Sequence, residues 1–334
     1  MPIRSSRARE GQPLFDVVSL ARRSHAAGGR LTAEQVEQIR RTVQRAPEAM
    51  VKVLPRASND LKAVGNHLNY ISRNGDLDLE TDDGERVRSP NSEPLFDDWD
   101  LDIDDVRRQS ALRSTTGGKP PKLVHKLMFS MPPGTPPEKV LGAVRNFARE
   151  EFWGHHRYAF ALHVDEAHPH VHLVVKAVSE EGVRLNIRKA TLRHWRSEFA
   201  RNLRHVGVDA NATERAVRGQ SQKSARDGIY RANLRGESKF AREQVEAAVR
   251  ELVKGAARPD SGRRELAKTR EAVEGGWRAL AGLLEKGGQA DLARDVRRFM
   301  GQMPPPRTDR ERVARELPEY ATYGIDMRDK AYVR

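Results

Sequence analysis

"FALHVDEAHPHVHLVVKA", residues 160–177, places four of the chain's eleven histidines and an aspartate within ten residues. The two-residue period of a strand sends Phe160, Leu162 and Val164 to one face and His163 and Asp165 to the other. The segment that follows repeats the pattern: Val171, Leu173 and Val175 face a core, and His170 and His172 turn away from it. Between them "EAHP" is short enough to close a hairpin. In that register His163 stands opposite His172, and Asp165 opposite His170. Directly paired residues on one face have Cβ atoms about 4.5–5.5 Å apart, so three imidazoles converge on one point with a carboxylate beside them. Three neutral histidine nitrogens with open positions form a catalytic metal centre rather than a closed structural one. His168, just before Pro169, is read as a loop residue next to the ligands. Three imidazoles on one exposed sheet face gain no packing without a ligand and repel one another when protonated. His125, His155, His156, His194 and His205 stand singly and are read as structural or solvated.

Composition narrows the chemistry further. A chain of 334 residues with 37% apolar content can bury at least one full core and a smaller helical appendage. Lys and Arg outnumber Asp and Glu by 60 to 47, and the net charge of +13 makes nucleic acid the leading partner. No apolar run approaches the length of a membrane span and the N-terminal stretch lacks a signal-peptide core, so a bacterial cytoplasmic protein without membrane insertion is expected. With no cysteine, disulfides, thiolate nucleophiles and cysteine zinc sites are closed. Residues 76–105 run against the overall charge, with thirteen acidic residues and only Arg86 and Arg88. They form either a solvated acidic loop or a segment that covers a basic groove until DNA displaces it.

Three regions follow from the patterning. Residues 1–48 form a helical N-terminal extension, with helices over 13–26 and 32–45, the second opened by a Thr32–Gln35 capping box. Residues 49–224 form a mixed domain with strands at "MVKVL", "LDLE", "KLVHKLMFSM", "YAFALHVD" and "HVHLVVKAV". Its helix over 136–152 is capped by Thr135. That over 191–206 carries Leu192, Trp195, Phe199, Leu203 and Val206 on one face and stops at Gly207. The fold class is α+β, a central antiparallel sheet with flanking helices. Residues 225–334 form a helical C-terminal region in which no chemistry is visible.

A further helix, capped by Ser58 or Asn59, has the stripe Leu61, Val64, Leu68 and Ile71 and ends at Gly75. Tyr70 lies about 140° from the centre of that stripe, which suits either an amphipathic surface group or a nucleophile.

The segment "HVDEAHPHVHLVV" resembles the third motif of conjugative relaxases, the His-hydrophobe-His nucleases that nick one DNA strand at a transfer origin. "NHLNYISRNGDLDLE" resembles the first motif of the P-type mobilisation branch, which includes the T-DNA border endonucleases, and the tyrosine of that motif falls on Tyr70. "LMFSMPPGT" is similar to the second motif, whose serine falls on Ser130, and "VDANATERAVRG" to the segment after the last helix of the catalytic domain. The four occur in family order across residues 51–219, about half the chain.

The resemblance implies that His163, His170 and His172 hold Mg²⁺ or Mn²⁺ and that Tyr70 attacks the scissile phosphate. Asp165 would either orient a metal-bound histidine from behind or help to remove the Tyr70 proton. Ser130 would donate to a phosphate, and Arg73, Arg184, Arg188 and Lys189 would neutralise the DNA backbone. The implied partners are single-stranded DNA at a transfer origin and the accessory relaxosome and coupling proteins, with export alongside the transferred strand. Two other readings use the same residues: a tyrosine nuclease of rolling-circle replication or transposition, and a non-catalytic single-strand DNA-binding accessory protein.

Overall fold

The computed structural model of the chain describes residues 15–26, 30–55, 60–88, 93–114, 121–221, 239, 243, 261–309 and 311. The chain divides into two compact units, one of Met1–Phe15 and Gln44–Ala212, the other of Asp16–Val43 and Thr213–Arg334.

The first unit is α+β. Its strands are β1 (Met50–Val53), β2 (Leu79–Thr81), β3 (Arg86–Val87), β4 (Val124–Ser130), β5 (Tyr158–His163) and β6 (His170–Lys176), paired antiparallel in the order β1-β4-β6-β5-β2-β3. Every residue of the central strand β6 is buried, because helices cover both faces of the sheet. On one face α6 (Pro137–Phe152) and α7 (Lys189–His205) bring Phe147, Phe152, Trp195 and Phe199 onto Phe129, Phe160, Val171 and Leu173. Full burial of each such aromatic or aliphatic side chain stabilises the fold by about 1.5–3 kcal/mol. On the other face α3 (Leu61–Ile71) packs with α4 (Glu93–Asp98) and α5 (Leu101–Ser114). Val64, Leu68, Ile71, Trp99 and Leu101 close over Ala159, Ala161 and Val174.

That second cover changes the expected setting of the histidines. His163, His170 and His172 share one face, but it is the face roofed by α3, and they are only 1%, 5% and 4% exposed. The register also differs from the expected one: His163 pairs with His170, and Ala161 with His172. Six residues, 164–169, join the strands instead of four, so Asp165 lies past the strand end and Val164 is exposed rather than in the core. Pro169 has no N–H for a ladder, and its carbonyl accepts from Met131 N–H at 3.2 Å. The shift is by two residues, which keeps every side chain on its own face.

Helix starts show two local departures. The α3 cap is Asp60, whose carboxylate accepts from Ala63 N–H at 2.7 Å, while Ser58 and Asn59 lie outside the described residues. At α6 the N-cap is Pro136 in an extended conformation, because a residue before a proline, here Pro137, avoids the helical region. Thr135 instead donates its hydroxyl to the Pro132 carbonyl at 2.9 Å. The Thr32–Gln35 capping box is present in both directions, at 2.9 and 3.2 Å.

The acidic stretch is built into strands and helices rather than forming a simple loop. Arg145 grips Glu80 with two bonds of 2.5 and 2.7 Å, and Arg157 bridges Asp82, at 3.2 Å, and Asp98.

The second unit is helical, with α1 (Val17–Ala26), α2 (Ala33–Val43), α8 (Ser261–Lys286) and α9 (Ala290–Gly301). Two segments far apart in the sequence therefore contribute to one unit: α1 packs on α8 and α2 on α9, burying Leu20, Ile39, Trp277, Leu280, Leu284 and Phe299. Gly276 permits the α1 approach, since a Cβ there would stand 3.0 Å from the Val17 carbonyl oxygen. Of the helical pattern over residues 239–255, all but Lys239 and Glu243 lies outside the described residues. Among the described residues no helix is long and apolar enough to cross a membrane.

Candidate active site

The site forms where the C-terminal end of α3 meets the β5–β6 hairpin. A helix leaves its last carbonyls without intrahelical partners, and His163 serves one of them: its Nε2–H donates to the Ile71 carbonyl at 2.8 Å. That bond ties the histidines to the helical turn bearing Tyr70. Beside it the imidazoles crowd together, with ring centroids 5.2 Å apart for His163–His170, 4.7 Å for His163–His172 and 5.2 Å for His170–His172.

The hydrogen bonds assign nitrogens. A carbonyl only accepts, so His170 Nδ1 carries a proton and donates to the His168 carbonyl at 3.0 Å, which leaves Nε2 as the ring nitrogen to face a ligand. Among the described residues His172 Nδ1 is buried with no hydrogen-bond partner, an arrangement that costs free energy unless a ligand takes the nitrogen. Burial, reinforced by His163, His170, His67 and Arg73, pushes the His172 pKa down to about 3, and burial also lowers that of His163. Neutral imidazole is the form that binds a metal. One ligand atom from each of the three lies within 4.8 Å of the others, and among the described residues this is the group compact enough to hold an ion. Three imidazoles, one with an orphaned buried nitrogen, fit a divalent metal.

Tyr70 stands over this cluster. It is 49% exposed, as its position off the apolar stripe requires, and its ring centroid lies 6.2 Å from that of His163 and 5.8 Å from that of His172. Tyr158 is the opposite case: 4% exposed, five residues back along β5, with burial pushing its pKa up to about 12. Tyr230 lies outside the described residues.

Ser130 ends β4 directly opposite His170, on the same face, and so borders the cluster. Asp165 reaches Arg73, not a histidine or Tyr70, in the bonds that the structure records for it. Burial would raise its pKa, but a backbone hydrogen bond and the Arg73 charge together hold it below the ordinary carboxylate value. Arg73 itself comes into the centre of the site, with contacts to Tyr70, His163 and Asp165. Arg184 does not: it donates to the Lys122 carbonyl at 2.9 Å, just beyond the opposite end of β4, roughly 26 Å from Ser130 at 3.3 Å per residue. Arg188 and Lys189 open α7 just beyond Leu185, whose N–H bonds the Ala177 carbonyl at that same far end.

The residue that sequence reading passed over is His67. It precedes Tyr70 by three positions, its ring lies 6.1 Å from that of Tyr70 and nearly parallel, and it meets His172 edge-on at 6.0 Å. The helical i, i+3 spacing from Tyr70 was the available signal.

Residues 70–206 match the family described as relaxase, MobA/VirD2-like, nuclease domain, a span that includes Tyr70, Ser130, Asp165 and all three clustered histidines. The chain is similar to the T-DNA border endonuclease VirD2 of Rhizobium radiobacter, at 27% identity over 199 residues, covering 53% of this chain and 44% of the relative. Its likeness to VirD2 of Agrobacterium fabrum is 26% over 203 residues, covering 55% and 43%, and to VirD2 of Rhizobium rhizogenes 24% over 202 residues, covering 52% and 42%. The chain thus spans less than half the length of these relatives. No solved structure gives a significant match.

Proposed function

We propose that this protein, whose residues 70–206 match the MobA/VirD2-like relaxase nuclease family, nicks and rejoins one strand of DNA at the transfer origin of a plasmid or integrative element. The observation that carries the reading is the half-exposed Tyr70 ring against the buried pair His163 and His172. The Tyr70 hydroxyl gives up its proton to solvent as its oxygen attacks the scissile phosphorus in line. The bond from phosphorus to the 3′ oxygen breaks, that oxygen takes up a proton to leave as a 3′ hydroxyl, and the 5′ phosphate remains on Tyr70. One phosphodiester replaces another, so the reverse attack by a 3′ hydroxyl reseals the strand.

His163, His170 and His172 would hold Mg²⁺ or Mn²⁺, which would supply Lewis-acid polarisation of a phosphate oxygen when bound. Ser130 donates a hydrogen bond to a phosphate oxygen beside His170. Asp165 supports the site through Arg73. Arg184, Arg188 and Lys189 neutralise backbone phosphates away from the nick. The substrate is single-stranded DNA in the bacterial cytoplasm, with accessory relaxosome and coupling proteins as further partners.

The test uses labelled single strands tiling the DNA that flanks the gene, incubated with the protein and Mn²⁺ and resolved by denaturing electrophoresis. A protein–DNA adduct of one strand at one position, lost with chelator, is expected. Binding of the same strands with no adduct under any metal would leave a DNA-binding protein and overturn the reading.

A further inference from the structure

His163 has one lone pair to offer, and Arg73 holds it. Because Nε2 donates to the Ile71 carbonyl, Nδ1 is the acceptor nitrogen of the neutral ring, and Arg73 Nη2 donates to it at 3.1 Å. The same Nη2 reaches the Asp165 carboxylate, while Nη1 donates to the Tyr70 carbonyl at 3.4 Å. The guanidinium carbon stands 5.0 Å from the Tyr70 ring centroid. One side chain thus touches a candidate metal ligand, the candidate nucleophile and the Asp165 carboxylate.

The backbone is committed to this placement. Arg73 and Asn74 follow the end of α3 with φ of 53° and 56°, two consecutive non-glycine residues in the left-handed region, before Gly75 at 93°. Such conformations cost energy and persist where surrounding contacts hold them. Here they turn the chain so that Arg73 returns over the tyrosine and the histidines instead of running out to solvent.

A metal ion and a guanidinium cannot both use one lone pair, and arginine does not escape the conflict by deprotonating. His163 Nδ1 therefore has two claimants of like charge. Asp165 offsets the arginine charge and would keep a displaced guanidinium at the site.

We propose that Arg73 is a positioning residue that occupies the acceptor nitrogen of His163, Nδ1, until a divalent cation takes it. Once displaced, and still tethered by Asp165, the guanidinium is the cation that meets the phosphate. The proposal rests on the reading of His163, His170 and His172 as a metal centre. In the metal-free protein Arg73 keeps the His163 ring and the Tyr70 turn in place, and it tempers metal affinity in the absence of DNA.

Calorimetric titration of Mn²⁺ into the full chain without DNA tests the competition. Arg73→Gln should bind Mn²⁺ about tenfold more tightly than the wild type, the worth of one charge-assisted hydrogen bond. Arg73→Lys retains the charge and loses the planar fork, so tighter binding there too assigns the gain to the hydrogen bond rather than to charge alone. The second readout is the ¹⁵N shift of His163 Nδ1, which should move in Arg73→Gln before any metal is added and in the wild type on titration with Mg²⁺. Unchanged or weaker Mn²⁺ binding by Arg73→Gln would show that Arg73 supports the metal site, and would overturn the competition alone. If neither the wild type nor Arg73→Gln binds Mn²⁺, the metal reading falls and takes this inference with it.

Discussion

The His172 imidazole meets the ring of Tyr70 edge-on, with centroids 5.8 Å apart and planes at 86°. An edge-to-face contact of this kind depends on the rings and not on the phenolic hydroxyl. Tyr70→Phe therefore separates packing from chemistry. The variant should keep its DNA affinity, bind Mn²⁺ within about twofold of the wild type and change stability by less than about 0.5 kcal/mol, as exposed positions do. Its covalent adduct should disappear. Electrophoresis under denaturing conditions with peptide mapping reads the outcome, and an adduct at wild-type yield, or one mapped to another tyrosine, sinks the assignment.

His172 itself should show function and stability pulling in opposite directions. Its buried Nδ1 has no hydrogen-bond partner among the described residues, and such an atom costs about 1–3 kcal/mol. His172→Leu removes the orphan and approximately conserves volume, so the metal-free variant should be as stable as the wild type or more stable by about 1 kcal/mol. Mn²⁺ affinity should fall by more than the 10–100-fold typical of losing an outer-shell partner. Urea unfolding and calorimetry report the two. Unchanged Mn²⁺ binding would remove His172 from the ligand set.

The parts of this site that were legible in the sequence are those governed by period alone. Alternation along residues 160–177 put His163, His170 and His172 on one face, and a two-residue difference in register left that face intact. Asp165 was different, because its expected neighbour depended on where the strand stopped, and loop length decided that. The cover over the histidines was not legible either. It depends on α3 finding Ala159, Ala161 and Val174 across the sheet, a match between segments about a hundred residues apart. Arg73 reads as one more basic residue until the left-handed turn after α3 is seen. The short strand β3, only two residues long, leaves no alternation to detect.

Acid should weaken the first unit through His125. This residue sits on β4, with Nε2–H donating to the Leu185 carbonyl at 3.1 Å. Burial, aided by Lys122 and Arg184, lowers its pKa from 6.5 to about 4. A depressed pKa means that the unfolded chain takes up the proton first, so the stabilisation is complete above pH 6.5 and is lost as the pH falls towards 4. His125→Gln cannot titrate and can still donate to Leu185. Between pH 7 and 4 the wild type should lose on the order of 3 kcal/mol relative to that variant. Parallel stability curves from urea unfolding would exclude His125 as the cause.

Binding to single-stranded DNA should be dominated by phosphate contacts, given the net charge of +13. The logarithm of the affinity should fall with the logarithm of salt concentration by about 0.7 per phosphate neutralised. Loss of one backbone contact, as in Arg188→Gln, should reduce the slope by about that amount and leave adduct chemistry at saturation unchanged. A fluorescence titration with no salt dependence between low and physiological ionic strength would count against a phosphate-tracking surface.

His67 supplies the last test, because it touches both halves of the site without belonging to the histidine cluster. Its ring lies 6.1 Å from that of Tyr70 with 16° between the planes, and 6.0 Å from that of His172 at 79°. If Tyr70 is the nucleophile, a ring in this place would limit how far it swings from the attacking position. A misplacement of about 1 Å at a reacting group can cost on the order of 100-fold in rate. His67→Ala should therefore slow single-turnover adduct formation by about 10–100-fold while leaving DNA affinity unchanged. His67→Phe distinguishes two roles for the ring. Near-wild-type rates in the Phe variant mean that the ring acts by packing, whereas rates as low as those of His67→Ala mean that the imidazole nitrogens take part. Wild-type rates in both variants would show that Tyr70 is positioned from its own turn and from His172 without help from His67.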